Sequence, residues 1–265
     1  RPLLTLRMVK VLDIPFFDQS IEDIVPEIIR ICTDHLQPNI NLCISASGAH
    51  GLVEAHQDPA FKNILQSFWL NLPDGMPTVW VGKLKGANKM ARCYGPDFFK
   101  AMMLASANKG VKHFFCGGRE GVANALKEAV QIKFGNSQVV GTFCPPFRNM
   151  TAAELEQLGN EITQLGAHIV WIGLSTPKQE KFAAALANYC KTCFIVTVGA
   201  AFDFHTDQVK QAPSWMQQNG LEWLFRLLME PKRLYKRYFT IVPMFIWLNI
   251  KEFADFYINK KKKLY

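Results

Sequence analysis

No stretch of this chain is apolar for long enough to cross a bilayer. The longest apolar run is Phe239-Thr240-Ile241-Val242-Pro243-Met244-Phe245-Ile246-Trp247-Leu248, and it carries a proline. A spanning helix needs about 20 such residues. The Walker lysine pattern is missing, and no full G-x-G-x-x-G occurs, so neither standard phosphate fingerprint applies. No second CxxC and no His pair supplies a zinc site. The cysteines number seven, an odd count at scattered positions: Cys32, Cys43, Cys93, Cys116, Cys144, Cys190 and Cys193. The single CxxC, Cys190 to Cys193, falls between the end of a helix and a strand, whereas a redox motif opens a helix where its thiolate is stabilised. All seven read as reduced, mostly buried thiols of a cytoplasmic protein. No signal-peptide pattern is read at the start, where the chain begins at Arg1 without a Met.

What is present is a basic chain of 265 residues, half apolar and a fifth charged. That is enough to bury a large core. The net charge of +8 is uneven: from Glu222 to Tyr265 ten Lys/Arg face four Asp/Glu, so the first 221 residues carry only +2. The asymmetry points to an anionic surface met by the C-terminal segment. Trp215, Leu221, Trp223, Leu224, Phe225, Leu227 and Leu228 are interleaved there with Arg226, Lys232, Arg233, Lys236 and Arg237. A membrane surface suits this mixture better than nucleic acid, for which charge is the only argument. Arg226, Arg233 and Arg237 are expected to share one helix face if the helix survives Pro231. The run Lys260-Lys261-Lys262-Lys263 is expected to be a loose tail.

Residues 3–17 are expected to form one or two short strands ending at Pro15. Residues 20–35 have helix spacing with Ser20 as cap. Residues 41–45 read as a buried strand that breaks into Ser45-Ala46-Ser47-Gly48 before a helix from about Gly51. The hydroxyls there suit either anion contacts or ordinary capping. A strand near 68–72 runs into Leu72-Pro73-Asp74-Gly75-Met76-Pro77. Pro fixes φ and Gly permits positive φ, so the chain turns sharply around a carboxylate. Asp74 is read as a general base or as a plain turn residue.

From residue 111 the pattern is strand–turn–helix, with strands at 111–116, 139–143, 168–173 and 194–199. Helices are expected over 98–109, 122–134, 180–190 and from the capping box Thr151-Ala152-Ala153-Glu154 to about 165. Such repetition means a Rossmann-like, doubly wound α/β fold with a mainly parallel sheet. The glycine-bearing turns, Gly117-Gly118 among them, then gather on one edge of the sheet. The division expected is a core of 1–221 and a basic amphipathic helical appendage of 222–265.

Taken in order, Leu72-Pro73-Asp74-Gly75, Gly95-Pro96-Asp97, the block from Gly173 to Glu180, Val198-Gly199-Ala200-Ala201-Phe202-Asp203-Phe204, Ala212-Pro213-Ser214-Trp215-Met216-Gln217 and Gly220-Leu221-Glu222-Trp223-Leu224-Phe225-Arg226-Leu227 resemble the WecG/TagA/CpsF glycosyltransferases. The resemblance runs from about residue 10 to 240. It implies a bacterial enzyme, peripheral on the inner face of the cell membrane. Such an enzyme moves a sugar, of the N-acetylmannosamine type or its uronic acid, from UDP to N-acetylglucosamine on undecaprenyl diphosphate. The transfer implied is inverting, with no cofactor and no essential metal. Glucosyl or glucuronosyl transfer in exopolysaccharide synthesis, or non-catalytic binding of UDP-sugars or polyanions, stand as alternatives.

By motif, the resemblance makes Asp74 the base, Arg92 an active-site arginine and Gln179 a polar residue of the loop that also holds Thr176, Pro177 and Lys178. Ser45 and Ser47 stand where the family has Thr and Asn. Asp203 falls on the nucleotide side, and Arg226, Arg233 and Lys236 or Arg237 face the lipid diphosphate. Thr206-Asp207 replaces a common Ala-Gly, which is expected to set a carboxylate near a ligand edge. An inverting transfer needs one base, and the chain has no Asp-x-Asp to hold a metal on the diphosphate. Arginine forks and backbone N–H groups are then the groups to meet that charge. Deleting residues from 222 onward is expected to abolish transfer while leaving the core folded.

Overall fold

A computed structural model describes residues 6–34 and 40–262, apart from the side chains of 233 and 256–262. Lys263 and the far end of the expected helix at His35 lie outside the described residues. The centre is a six-stranded, wholly parallel sheet in the order β4–β3–β8–β7–β5–β6. Its strands are β3 (Leu42–Ser47), β4 (Leu70–Pro73), β5 (His113–Gly117), β6 (Val139–Phe143), β7 (Ile169–Gly173) and β8 (Phe194–Thr197). Of the four inner strands, β5, β7 and β8 are buried at every position. Strands covered on both faces must read as continuous apolar runs, and these do.

Alternate residues feed opposite layers, as the strand repeat requires. Phe115, Trp171, Phe194 and Val196 pack with α1 (Ile21–Asp34), α5 (Gly95–Ser106) and α6 (Val122–Phe134). Phe114, Cys116, Val170, Ile172 and Ile195 pack instead with α7 (Ala152–Gln164) and α8 (Lys178–Leu186). The capping box forms: Thr151 Oγ1 accepts from the Glu154 N–H, and a Glu154 carboxylate oxygen accepts from the Thr151 N–H. All seven cysteines are free thiols, and only Cys144 is exposed.

A third core lies off the sheet. An antiparallel hairpin, β1 (Met8–Val11) and β2 (Ile14–Phe17), packs there with α2 (Ala49–Gln57), α3 (Pro59–Ser67) and α4 (Met76–Leu84). Pro15 sits inside β2 rather than ending it, which a two-stranded ribbon tolerates because each strand has an unpaired edge. The same cluster takes in Ile241 and Phe245 from the long C-terminal helix.

After β8 the chain forms α9 (Ala201–His205), α10 (Ser214–Gln218), α11 (Glu222–Met229) and α12 (Pro231–Lys262). The helix does not survive Pro231. Glu230 leaves helical backbone at φ −134 and ψ 59, and Pro231 opens a new helix as its first residue. Arg226 and Arg237 therefore belong to different helices. The backbone is helical through Lys262, so Lys260 to Lys262 extend α12 rather than leaving it as a loose tail. Among the described residues, no helix is long and apolar enough to cross a membrane.

Candidate active site

Parallel strands end together, and most of the residues singled out by motif lie along that common edge. Asp74 follows β4 directly, its own N–H donating to the Ser47 carbonyl at 3.0 Å. The Gly95 N–H, first in α5, donates to Asp74 Oδ1 at 2.6 Å. A side chain at Gly95 would press its Cβ to 2.8 Å from the Val198 carbonyl oxygen, so the close approach needs glycine. Burial pushes the Asp74 pKa up to about 7. The Gly95 bond opposes that rise, Glu222 reinforces it, and Arg92 and Arg226 pull against it. A carboxylate poised near neutral pH is what a general base requires.

Arg92 stands beside it, stacked 4.4 Å over the Tyr94 ring. Its Nη1 donates to Glu222, and its Nη2 donates to Gln217 at 2.8 Å and to Asp97 at 3.3 Å. Arg92 and Glu222 are nearly buried, at 13% and 12% side-chain exposure. Burial, with the Glu222 charge behind it, drives the Tyr94 pKa well above the ordinary phenol value.

The centre of the edge is a hydroxyl and amide network. Strand β3 runs through Ser47, so Ser45 and Ser47 belong to the strand end and not to a loop after it. Two residues apart on a strand, their hydroxyls share a face and lie 2.6 Å apart. Ser45 donates on to Glu180 Oε1 at 3.4 Å. Thr176 Oγ1 and Gln179 Nε2 donate to the same oxygen at 2.9 and 3.0 Å. Gln179 Oε1 accepts from the Gly199 N–H at 3.0 Å, tying the start of α8 to the loop after β8. Glu180 is wholly buried, its Oε2 has no hydrogen-bond partner, and burial raises its pKa.

Gly117 and Gly118 close the adjoining strand end. The chain leaves β5 for β6 on one side and leaves β7 for β8 on the other, so β5 and β7 flank a switch point. There Gly117 has φ +145, and a Cβ would sit 2.5 Å from the Gly173 carbonyl oxygen. Gly118 donates its N–H to that oxygen at 2.9 Å. Pro177 precedes α8 and Lys178 opens it, exposed to solvent. Asp203 lies half-buried in α9, its carbonyl accepting from the Gln208 N–H. Asp207 is exposed and paired with Lys133 of α6 at 2.7 Å.

The C-terminal cations divide. Arg226 reaches the Asp74 neighbourhood, and its buried Nε has no hydrogen-bond partner. Arg237 instead donates to His50 Nδ1 at 2.7 Å, while His50 Nε2 donates to Glu54 at 3.2 Å. Lys236 is exposed on α12, and the side chain of Arg233 lies outside the described residues. Among the described residues, no group of three or more His, Cys, Asp and Glu could hold a metal ion.

The glycosyl transferase WecG/TagA/CpsF family model matches residues 9–258. The chain belongs to that family. It is similar to two curated relatives, each called an N-acetylglucosaminyldiphosphoundecaprenol N-acetyl-beta-D-mannosaminyltransferase. The protein of Bacillus subtilis strain 168 is 25% identical over 218 residues, 82% of each chain. That of Bacillus spizizenii strain W23 is 27% identical over 219 residues, 83% of this chain and 82% of its own. Membership makes this chain a glycosyltransferase and removes the non-catalytic alternative.

Four further residues of the candidate site have no role legible from motif, although Glu180, Gln217 and Glu222 stand inside the blocks that carry the resemblance. Glu180 reads in sequence as an acid in the first turn of a helix, where the dipole alone explains it. Glu222 opens the expected appendage, Gln217 falls within the expected core of 1–221, and Tyr94 stands just before the Gly95-Pro96-Asp97 turn. The signal for them is membership of those blocks and nearness to assigned residues: Glu180 follows Gln179, Tyr94 lies between Arg92 and Gly95, and Gln217 and Glu222 flank Gly220.

Proposed function

We propose that this transferase moves N-acetylmannosamine, or its uronic acid, from UDP to N-acetylglucosamine on undecaprenyl diphosphate, with inversion and without a metal ion. The observation that carries the reading is Asp74. One oxygen is held by the Gly95 N–H, its pKa is raised to about 7, and Arg226 stands near. In this reading Asp74 takes the proton of the acceptor hydroxyl as UDP departs from the opposite face of the sugar. Arg226 and the backbone N–H groups near Gly118 meet the diphosphate charge. Ser45, Ser47, Thr176 and Gln179 present hydroxyl and amide groups to the sugars. The donor and acceptor classes follow the names of the Bacillus relatives.

A lipid-linked acceptor requires work at a membrane surface, and α12 has a face for it. Tyr235, Phe239, Val242, Ile246 and Ile250 recur at helix spacing and are all exposed, while Leu234, Ile241, Phe245 and Leu248 are buried on the other side. Lys232 and Lys236 flank the exposed stripe with positive charge. Such a helix lies in the interface rather than across it.

The test is incubation of the full chain with lipid-linked N-acetylglucosamine in liposomes, EDTA and a panel of UDP-sugars, with UDP release, lipid product and product anomer measured. The expected result is release with one N-acetylmannosamine-type donor, inverted product, and loss of both in Asp74→Asn. Turnover that persists in Asp74→Asn removes Asp74 as base. Turnover only after a divalent ion is restored removes the metal-free reading.

A further inference from the structure

Arg92 has little left to offer an incoming anion. Three of its N–H groups are engaged by Glu222, Gln217 and Asp97, and its face lies on Tyr94. Two of those partners are acids, so its charge is already matched. Arg226 is the opposite case, with a buried Nε that has no partner. The two arginines are linked through the chain. Gln217 ends its hydrogen-bonded turn in α10, Glu222 opens α11, and Arg226 follows Glu222 by four residues, on the same face of that helix. Whatever holds Glu222 therefore aims Arg226.

We propose that Arg92 is a positioning residue whose ion pair with Glu222 and bond to Gln217 dock α10 and α11 over the strand edge and bring Arg226 to Asp74. Gln217 also donates to the Ala212 carbonyl at 2.7 Å, so the bond from Arg92 is passed to the backbone that enters α10. Gly220 packs beneath the Trp80 ring of α4, where a Cβ would come within 2.8 Å of it, and supplies a second contact for the same turn. This role deepens the proposed reaction in one respect, since Asp74 and Arg226 are taken as its base and its diphosphate cation. The docking itself does not depend on that reading.

The experiment is amide hydrogen exchange on the full, ligand-free chain, with the sheet strands as the internal control for folding. Arg92→Glu and Glu222→Arg each place like charges together and are expected to speed exchange across 214–229 by at least about tenfold, as breaking a buried pair does. The double variant restores the pair with its charges exchanged and is expected to return exchange near the wild-type rate. Glu222→Gln, which keeps a hydrogen-bond acceptor and is the mildest change for folding, is expected to loosen 214–229 with the strands unaffected. Unchanged exchange in Glu222→Gln and in both charge-reversed single variants overturns the proposal. So does a double variant that stays loose. In the transfer assay the double variant regains turnover that each single variant loses. Restored docking without restored turnover shows that Arg92 touches substrate itself and overturns the positioning role. A wild-type chain that transfers none of the sugars tried would sink the proposed reaction, and the exchange result would still decide the docking.

Discussion

Asp74 owes its basicity to place, not to type. A carboxylate at its ordinary pKa is fully ionised at neutral pH and a weak base; burial lifts this one to about 7. In the proposed reaction Asp74 acts only when deprotonated, so kcat/KM is expected to rise with pH and level off above about 7. Asp74→Asn should lose roughly 10²–10⁴-fold in rate, the usual worth of a positioned base, with UDP binding retained. A pH–rate profile and a UDP titration on both proteins check this. His113 makes the opposite use of burial. It is wholly buried, accepts from Trp171 Nε1 at 3.0 Å and pairs with Ser106, and its pKa is lowered from 6.5 to about 3. Unfolded chains take up that proton below about pH 6.5 while the native state refuses it, so stability falls as pH drops from there toward 3. His113→Leu is expected to flatten that acid slope and to lower stability at all pH by about 1–3 kcal/mol, because Trp171 Nε1 loses its acceptor. Melting curves at several pH values decide it. At this scale the sequence was half legible. Asp74 showed itself because Pro73 and Gly75 mark a turn at a strand end. Glu180 and Glu222 stood in motif blocks without a role, because the contacts that distinguish them come from residues more than a hundred positions away, Ser45 and Arg92.

Elements were read better than residues, for a physical reason. Buried strands β5, β7 and β8 announce themselves as apolar runs, and α6 and β6 have the expected ends because Gly135 closes one and polar residues bound the other. What went unseen was α4: Thr78 to Gly82 is so uniformly apolar that no helical face stands out, and the segment is mostly covered. The helix break at Pro231 was legible as a condition and its outcome was not, since proline both ends one helix and opens the next. Where two elements touch backbone to backbone, the tolerance is small. Gly117→Ala would force a Cβ into the Gly173 carbonyl at a φ that L residues rarely adopt. It is expected to lower stability and to weaken UDP binding together, measurable by melting and by calorimetric titration. Helix α12 offers the matching test on its two faces. Phe245→Ala, on the buried side, should cost about 3–5 kcal/mol in unfolding free energy. Ile246→Glu, next to it but exposed, should leave melting unchanged and cut sedimentation with anionic vesicles.

For the whole molecule, the division into a core and an appendage that composition suggests meets a packing fact. Ile241 and Phe245 share one cluster with Val11, Ile14, Phe16, Leu52 and Val79. Lys85 of the chain after α4 also pairs with Glu252 of α12. Removing everything from residue 222 would therefore uncover apolar surface on the hairpin, α2 and α4. We expect such a truncation to aggregate or to melt earlier, as well as to lose transfer; light scattering and a melting curve on the truncated chain test that. Loss of activity alone would not show that the segment completes the site, whereas a point change such as Phe239→Glu on the exposed stripe would separate membrane contact from folding.

The hairpin at the start of the chain and α12 near its end meet in that third cluster, with Phe16 and Ile241 more than two hundred residues apart. A chain emerging from the ribosome N-terminus first can assemble the sheet and both of its helical layers early. It cannot close this last cluster until residue 245 is clear of the exit tunnel. Arg226 and the exposed apolar stripe of α12 join the fold only after every strand of the sheet has been made. The hairpin can pack early against α2, α3 and α4, and waits only for the α12 side chains that complete its cluster.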